Sequence, residues 1–152
     1  MGESSVVALR DVIEADLPVF FEHQREPEAN EMAEFPARER DAFMAHWHNK
    51  ILRNETGIAK TIVVDGRVAG NVVSWEQDGH REVGYWIGKE FWGRGVATTA
   101  LRRLLDLVAT RPLYGHVAKH NAASIRVLEK CGFTPAPTEN TDEVAVLLKL
   151  EA

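Results

Sequence analysis

Residues 82–99 read Glu-Val-Gly-Tyr-Trp-Ile-Gly-Lys-Glu-Phe-Trp-Gly-Arg-Gly-Val-Ala-Thr-Thr, and this stretch decides the fold. The apolar pattern that ends at Gly88 predicts a strand, Gly93 and Gly95 predict a turn, and the amphipathic pattern from about Val96 predicts a helix. Glycines let the backbone approach a ligand closely, and the first amides of a helix have no intrahelical acceptors. The stretch therefore predicts a cradle for an anion such as a phosphate.

Two common phosphate loops do not fit this turn. A dinucleotide-binding loop requires a third glycine three residues after the second, where this chain has Thr98. A nucleoside triphosphate loop requires Gly-Lys followed by Ser or Thr, and the turn has no such sequence. A different phosphate-bearing ligand is therefore expected.

The turn resembles the pyrophosphate loop of GNAT acetyltransferases, whose signature is Gln/Arg-x-x-Gly-x-Gly/Ala. Gly95 and Ala97 occupy the small positions, and Trp92 stands where the family usually has Gln or Arg. The segment 120–133, His-Asn-Ala-Ala-Ser-Ile-Arg-Val-Leu-Glu-Lys-Cys-Gly-Phe, resembles the family's second coenzyme A motif, Asn-x-x-Ser/Ala before a helix that ends in Gly-Phe. Tyr-Trp-Ile before the loop and Trp-Gly-Arg-Gly within it are most similar to the branch that acetylates the N-termini of ribosomal proteins.

Hydrophobic periodicity predicts one mixed α/β domain over residues 1–152, in the order βααβββαβαββ. The strands are expected at residues 6–9, 57–64, 68–75, 82–88, 113–118, 133–135 and 144–150. The helices are expected at about residues 11–24, 38–54, 96–109 and 121–132. Asp-Gly at 65–66 predicts a hairpin, a second turn is expected at 77–80, and residues 25–36 are expected to form a mobile polar connector.

This order matches the GNAT fold, a mostly antiparallel sheet flanked by helices. The resemblance implies that the fourth and fifth strands splay apart and that the pantetheine arm of the acyl carrier enters the gap. A homodimer fits this fold class, although no feature of the sequence supports one.

Composition limits the function further. A chain of 152 residues with 45% hydrophobic residues fits one compact domain, and its net charge of −5 argues against nucleic-acid binding. Residues 86–132 hold eight Lys or Arg against three acids, whereas residues 14–41 hold nine acids against three bases. The basic half would suit coenzyme A phosphates and the acidic half a cationic amine, although solvated helix faces would also explain the acidic segment.

The sequence has no apolar stretch of about 18 residues and no basic N-terminus followed by an apolar run, so we expect neither a membrane span nor a secretory signal. A cytoplasmic protein is expected. The single cysteine, Cys131, excludes an internal disulfide and a cysteine-based zinc site, and packing at a helix end explains it. His46 and His48 lie two apart on a predicted helix and cannot share one face, so no metal is expected.

The resemblance implies an acetyl-CoA-dependent N-acetyltransferase in which a primary amine of a small molecule or protein N-terminus attacks the thioester directly. A main-chain amide at a bulge in the fourth strand, near Trp86 or Ile87, would polarise the carbonyl. Surface exposure is the alternative for Arg94, and Lys89 is a further candidate for the coenzyme phosphates. The residues expected to bind the coenzyme are Trp86, Ile87, Gly88, Gly93, Arg94, Gly95, Val96, Ala97, Thr98, Asn121 and Ser124.

The resemblance also suggests catalytic residues, each with a structural alternative. Ser124 stands where the ribosomal-protein branch places a hydroxyl near the sulfur, so it would protonate or hydrogen-bond the leaving thiolate, and Asn121 would bind the pantetheine arm. Many relatives instead use a tyrosine at the position of Leu128, so that general acid is absent here. Ser124 and Asn121 could instead serve the helix N-terminus, Asn121 as its cap. His116 and Glu82 are alternative general bases, since an imidazole or a carboxylate can accept a proton, although a strand histidine is often structural.

Two alternatives to an active N-acetyltransferase remain at this stage. The chain could be a catalytically inactive coenzyme A-binding regulatory module, which the leucine at 128 would favour, or it could transfer a longer acyl group. The expected acceptor surface comprises residues 25–36, the second helix and the turn at 77–80. Trp75, Tyr85, Trp86 and Phe91 could form walls of an acceptor pocket, although core packing explains all but Tyr85.

Overall fold

Seven strands form one sheet in the order β1-β2-β3-β4-β5-β7-β6. The computed structural model describes residues 6–33, 37–77, 79–136 and 145–151. All neighbouring strands in this sheet are antiparallel except β4 and β5, which are parallel. The strands are β1 (Val7–Asp11), β2 (Ile58–Val64), β3 (Arg67–Gln77), β4 (His80–Ile87), β5 (Leu113–Ala118), β6 (Thr134–Pro135) and β7 (Ala145–Leu150).

Five α-helices flank the sheet in the described residues. They are α1 (Leu17–Gln24), α2 (Pro27–Ala33), α3 (Arg40–His46), α4 (Val96–Leu107) and α5 (Ala122–Lys130). One turn of 3-10 helix, Glu14–Asp16, precedes α1, and a π-helical turn, Trp47–Ile51, continues α3. The predicted mixed α/β fold is confirmed, with one helix more than the predicted order.

The additional helix is α2, which falls where a mobile polar connector was expected. Pro27 stands at its first position, where a missing amide costs no hydrogen bond. Asn30 anchors it, because its side-chain amide donates to the carbonyls of Gln24 and Glu26 at 2.9 Å each. Ala29 is buried. The connector prediction was wrong because it counted polar residues and overlooked the hydrogen bonds of Asn30 and the burial of Ala29.

The central hairpin β2–β3 turns at Asp65 and Gly66, as the sequence predicted. Both residues have positive φ, 50° and 83°, which the short Asp-Gly turn requires. The β3–β4 pairing then runs without a shift from Gly70 and Ile87 to Gln77 and His80. The bulge that the resemblance implied in the fourth strand is therefore absent from this pairing.

Two hydrophobic cores cover the two faces of the sheet. On one face, α4 and α5 pack on Val83, Leu113 and other apolar strand residues. On the other face, Phe20 and Trp47 form a cluster with other residues of α1 and α3. Alternation along β4 divides its side chains between these faces, so Val83, Tyr85 and Ile87 point toward α4 and α5.

The strands β4 and β5 separate soon after they meet. They pair only at Arg81 with Leu113 and at Glu82 with Tyr114, and the rest of β4 has no partner on that side among the described residues. The implied splay between the fourth and fifth strands is therefore present. It opens a cleft toward the C-terminal ends of both strands.

Most predicted boundaries agree with the structure within two or three residues. The strand β5 matches its prediction, and the long second helix corresponds to α3 with its π-helical extension. The turn residue Asp78, the connector residues 34–36 and the predicted start of the last strand at Val144 lie outside the described residues. None of the described helices combines the length and apolar character that a bilayer crossing requires.

Candidate functional site

The cleft between β4 and β5 has a volume of about 620 Å³. Its walls come from β4, the turn before α4, the first turns of α4 and α5, the strand β5 and one side of α2. The cleft is lined by all the residues predicted to bind the coenzyme except Gly88 and Arg94, and His116 also lines it. The two sequence motifs, 82–99 and 120–133, thus meet in one site.

The turn before α4 has the geometry of an anion cradle. Gly93 and Gly95 have φ of 76° and 72°, values that L residues other than glycine adopt at a cost. A Cβ added at either position would have no atom within 4 Å, so the space in front of the turn is open. The amides of Val96, Ala97 and Thr98 lie in the first turn of α4, where they have no intrahelical acceptor. The positive end of the helix dipole adds to this attraction for an anion.

Main-chain amides of β4 also point into the cleft. Hydrogen bonding alternates along an antiparallel strand, and the N–H of Gly88 donates to the carbonyl of Ala69 on β3 at 2.8 Å. Trp86 therefore directs its N–H toward β3, whereas Ile87 directs its N–H toward the side from which β5 has diverged. Of the two amides that the sequence interpretation considered, the structure places that of Ile87 at the cleft.

Two predicted coenzyme residues have other environments. The Gly88 amide is engaged with β3, and a Cβ there would lie 2.6 Å from the His23 ring, so packing against α1 explains this glycine. Arg94 is exposed, and its guanidinium lies 5.6 Å from the centre of the Phe91 ring. The alternative of a surface role for Arg94 agrees with this position.

His116 and Glu82, predicted as alternative bases, lie in contact. Nδ1 of His116 is 2.8 Å from Oε1 of Glu82, whose side chain is 4% exposed, whereas half of the histidine side chain is exposed. A carboxylate only accepts hydrogen bonds, so the contact requires a proton on Nδ1, and a neutral His116 then has its lone pair on Nε2. Adjacent strand positions place the pair: Glu82 is the last β4 residue paired with β5, and His116 lies two residues after its partner Tyr114.

The first turn of α5 carries the other polar pair. The side chain of Asn121 caps the helix by accepting the Ser124 N–H at 3.2 Å, so a ligand would be held by its Nδ2. The Ser124 hydroxyl lies 2.5 Å from that of Tyr85 on β4. Burial raises the pKa of Tyr85 to about 12, although the hydrogen bond with Ser124 opposes the shift. Leu128 is buried against Gly115, where an added Cβ would lie 2.9 Å from a leucine methyl group.

The charged residues that line the cleft differ from those that the sequence suggested for the coenzyme phosphates. Lys89 lies 3.2 Å from Glu28 and 3.5 Å from Glu26, so acids of the α2 region engage it. Arg126 and Lys130, by contrast, line the cleft from α5. Their spacing of four residues puts them on one face of a helix, which was the signal in the sequence that could have identified them.

The four aromatic residues predicted as possible pocket walls differ in their burial and in their hydrogen bonds. Phe91 is almost fully buried, and the Trp86 indole donates to the carbonyl of His23 at 3.1 Å, although both also line the cleft. Trp75 donates to the side chain of Gln77. In residues 6–33, 37–77, 79–136 and 145–151, no group of three or more His, Cys, Asp or Glu side chains could hold a metal ion.

The geometry can be compared with known proteins. A domain from Methanocaldococcus jannaschii has a TM-score of 0.81 and 16% identity, over 98% of this chain and 100% of that one. The aminoglycoside acetyltransferase AAC(6')-Ib, in a crystal structure with coenzyme A, has a TM-score of 0.79 and 20% identity, over 96% and 95% of the two chains. A GNAT-family acetyltransferase from Bacillus anthracis has a TM-score of 0.78 and 14% identity, over 98% and 96%.

These identities show a shared fold. No curated protein matches the chain in sequence. The family model described as acetyltransferase (GNAT) domain matches residues 7–134, which contain the whole cleft. The chain therefore belongs to the GNAT acetyltransferase family.

Proposed function

We propose that this protein transfers an acetyl group from acetyl-CoA directly to a primary amine, with both substrates bound together. The observation that carries the proposal is the open glycine cradle at the start of α4, which continues into the cleft between β4 and β5. The cradle suits a diphosphate because it combines unpaired helix amides with space in front of two left-handed glycines. Solved relatives with coenzyme A or acetyl-CoA support this choice of donor.

The coenzyme would be held by main-chain and side-chain groups from several elements. The amides of Val96 to Thr98 would bind the diphosphate, and the cations of Arg126 and Lys130 would neutralise phosphate charge. The Asn121 amide would hold the pantetheine arm. The outward-facing N–H of Ile87 would donate to the acetyl carbonyl and stabilise the oxyanion that develops there.

The His116–Glu82 pair would remove the proton from the attacking amine. Nε2 of His116 has the free lone pair that a base needs, and the Glu82 carboxylate would stabilise the imidazolium that forms. The acceptor would bind beside this pair, and Glu28, Ala29 and Met32 of α2 line the cleft together with His116. In this arrangement Glu82 orients the imidazole, and His116 accepts the proton.

An amine that is cationic in water is the acceptor class that fits these surroundings. The carboxylates of α2 and its neighbours would attract it, and the base would generate the neutral form that attacks the thioester. The aminoglycoside acetyltransferase AAC(6')-Ib has been solved with coenzyme A and kanamycin. The motif resemblance adds a second acceptor of the same chemistry, a peptide N-terminus beginning with alanine or serine.

The coenzyme site is tested by binding of coenzyme A to the unchanged protein and to Gly95→Glu. We expect the variant to lose binding while it retains the fold, because a carboxylate would occupy the cradle. Gly66→Glu is the matched control, since Gly66 has a similar positive φ of 83° and open space around it but lies in the β2–β3 turn. Equal affinity in all three proteins would contradict the proposal.

Turnover is tested by release of free thiol from acetyl-CoA with a panel of acceptors. The panel comprises aminoglycosides, polyamines, amino acids and peptides that begin with alanine or serine. We expect acceptor-dependent thiol release. Coenzyme binding without release for any acceptor would favour an inactive regulatory module instead, and release only from longer acyl thioesters would favour transfer of a longer acyl group.

A further inference from the structure

We propose that Tyr85 and Ser124 act together as the hydrogen-bond donors that stabilise the sulfur of the departing coenzyme. The inference rests on the proposed acetyl transfer and assigns a chemical role to Tyr85, which the motifs do not. Its basis is the contact between the two hydroxyls, 2.5 Å apart although 39 residues separate them in sequence. The contact lies inside the cleft, between β4 and the first turn of α5.

Contacts with the rest of the fold fix the positions of both hydroxyls. The Tyr85 ring packs against the core formed by the sheet, α4 and α5, so its oxygen is directed at α5. Ser124 is positioned by the cap, in which its own N–H donates to Asn121. Each hydroxyl has one donor proton, and a hydrogen bond between the two uses one of them. The pair therefore retains one O–H that can be offered to a ligand in the cleft.

The phenol is suited to donate a hydrogen bond and unsuited to lose its proton. Its pKa of about 12 keeps it protonated at neutral pH. A thiol ionises near pH 8.5, so negative charge on the departing sulfur is more stable than charge on the phenol. Hydroxyl donors at this position would lower the energy of the thiolate without losing their protons.

The bond changes balance without a further reactant. The ammonium proton of the acceptor first passes through Nε2 of His116 to solvent. The neutral amine nitrogen then forms a bond to the acetyl carbon, and its surplus proton goes to Nε2 of His116, which releases it to solvent before the next cycle. The bond between carbon and sulfur then breaks, and its electron pair stays on the sulfur, which accepts the hydrogen bond from the Tyr85–Ser124 pair. The thiolate takes its proton from solvent as the product leaves.

The described residues that line the cleft contain no other pair of hydroxyls in contact. Among the described residues that line it, three carry hydroxyl groups: Tyr85, Thr98 and Ser124. Thr98 belongs to the first turn of α4, at the cradle. Leu128, which faces the cleft from α5, supplies only methyl groups.

The first test measures the pKa of the coenzyme A thiol when it is bound, from the ultraviolet absorbance of the thiolate. We expect this pKa to be about one unit higher in the complex with Tyr85→Phe than in the complex with the unchanged protein, because the variant removes a donor. Tyr114→Phe is the matched control: Tyr114 stacks on His80 and does not line the cleft. It should leave the thiol pKa unchanged.

The second test measures kcat for acetyl transfer. Tyr85→Phe and Ser124→Ala should each lower kcat by about 10- to 100-fold with little change in KM for the acceptor. The double variant should be little worse than either single variant, because the two hydroxyls act as one unit. Ser124→Thr, which keeps the hydroxyl, should retain most of the activity.

The outcomes separate this inference from the proposed function. If the unchanged protein does not bind coenzyme A, both fall together. If it binds coenzyme A and transfers acetyl groups, but Tyr85→Phe alters neither the thiol pKa nor kcat, only the role of the hydroxyl pair is overturned. Independent, multiplicative losses in the double variant would also overturn it.

Discussion

The two faces of β4 carry opposite chemistry at the same cleft. On the face toward α1 and α2, Glu82 pairs with His116 and presents a lone pair that can take a proton. On the face toward α4 and α5, Tyr85 pairs with Ser124 and presents a proton. Because side chains alternate along a strand, residues three apart supply both functions from one short segment. A strand that diverges from its neighbour can thus hold the proposed base and the proposed donor on its two faces, separated by the thickness of a sheet.

The largest effect should come from the base. His116→Ala should lower kcat/KM by about 100- to 1,000-fold, because the amine would lose its proton acceptor. Steady-state kinetics with the best acceptor of the panel measure it, and binding of coenzyme A should be unchanged. His48→Ala is the control, since His48 pairs with Glu14 at the surface. Full activity in His116→Ala would show that His116 is not the base.

Asp16 carries a second buried carboxyl group, and its hydrogen bonds, unlike the contact of Glu82 with His116, lie outside the cleft and contribute to stability. Burial by itself would raise the pKa of Asp16, but hydrogen bonds from Arg10, Ile13 and Thr61 outweigh it and lower the value to about 2. Since the folded pKa lies below the ordinary aspartate value of 3.8, the stabilisation is complete above about pH 4 and is lost as pH falls toward 2.

Asp16→Asn should therefore lower the free energy of unfolding at pH 7 by about 2 kcal/mol, with a smaller difference near pH 3. Chemical denaturation at both pH values measures it. Asp11→Asn serves as the control, because Asp11 is an exposed partner of Lys60 and its loss should leave stability unchanged. A difference that does not shrink on acidification would refute this role for the carboxylate.

Glu82→Gln tests the support of the base. The amide can still accept from Nδ1 of His116 but lacks the charge that stabilises the imidazolium, so kcat should fall about tenfold. Rates in Glu76→Gln, a change at an exposed carboxyl on β3, provide the comparison and should stay at the original level. A loss as large as that of His116→Ala would make the carboxylate itself the base.

The smallest effect is expected at Lys89. Its ammonium is engaged by Glu26 and Glu28, so Lys89→Ala should change KM for acetyl-CoA by less than about twofold. Arg126→Ala, at a cation that lines the cleft, should raise the same KM several-fold. If Lys89→Ala had the larger effect, Lys89 would contact the coenzyme phosphates as the sequence interpretation considered.

The cradle could be predicted because its chemistry is local. Gly93, Gly95 and the helix that follows are consecutive, and their requirements, left-handed backbone and free amides, are visible in residue types. The contacts between side chains were harder to predict from the sequence. His116 and Glu82 looked like rivals because 34 residues separate them, and Tyr85 looked like a pocket wall because its partner lies on another element.

The differences between prediction and structure have the same origin. The segment that contains α2 looks like a polar connector, because side-chain hydrogen bonds from Asn30 and the burial of Ala29, which composition does not reveal, hold its helix. Gly88 looked like a ligand-binding glycine, whereas its amide pairs with β3 and its missing Cβ makes room for His23. Short polar segments and single glycines carry too little local signal to distinguish these cases.

Three features could be predicted from residue types alone: the fold class, the order of helices and strands along the chain apart from α2, and the glycine turn before α4. Each follows from periodicity and from backbone preferences within a few residues. The tertiary structure alone decided which amide of β4 faces the cleft, that the two candidate bases form one pair, and that Tyr85 meets Ser124. The physical reason is that strand register and the divergence of β4 from β5 bring distant residues together, and both depend on packing across the whole sheet.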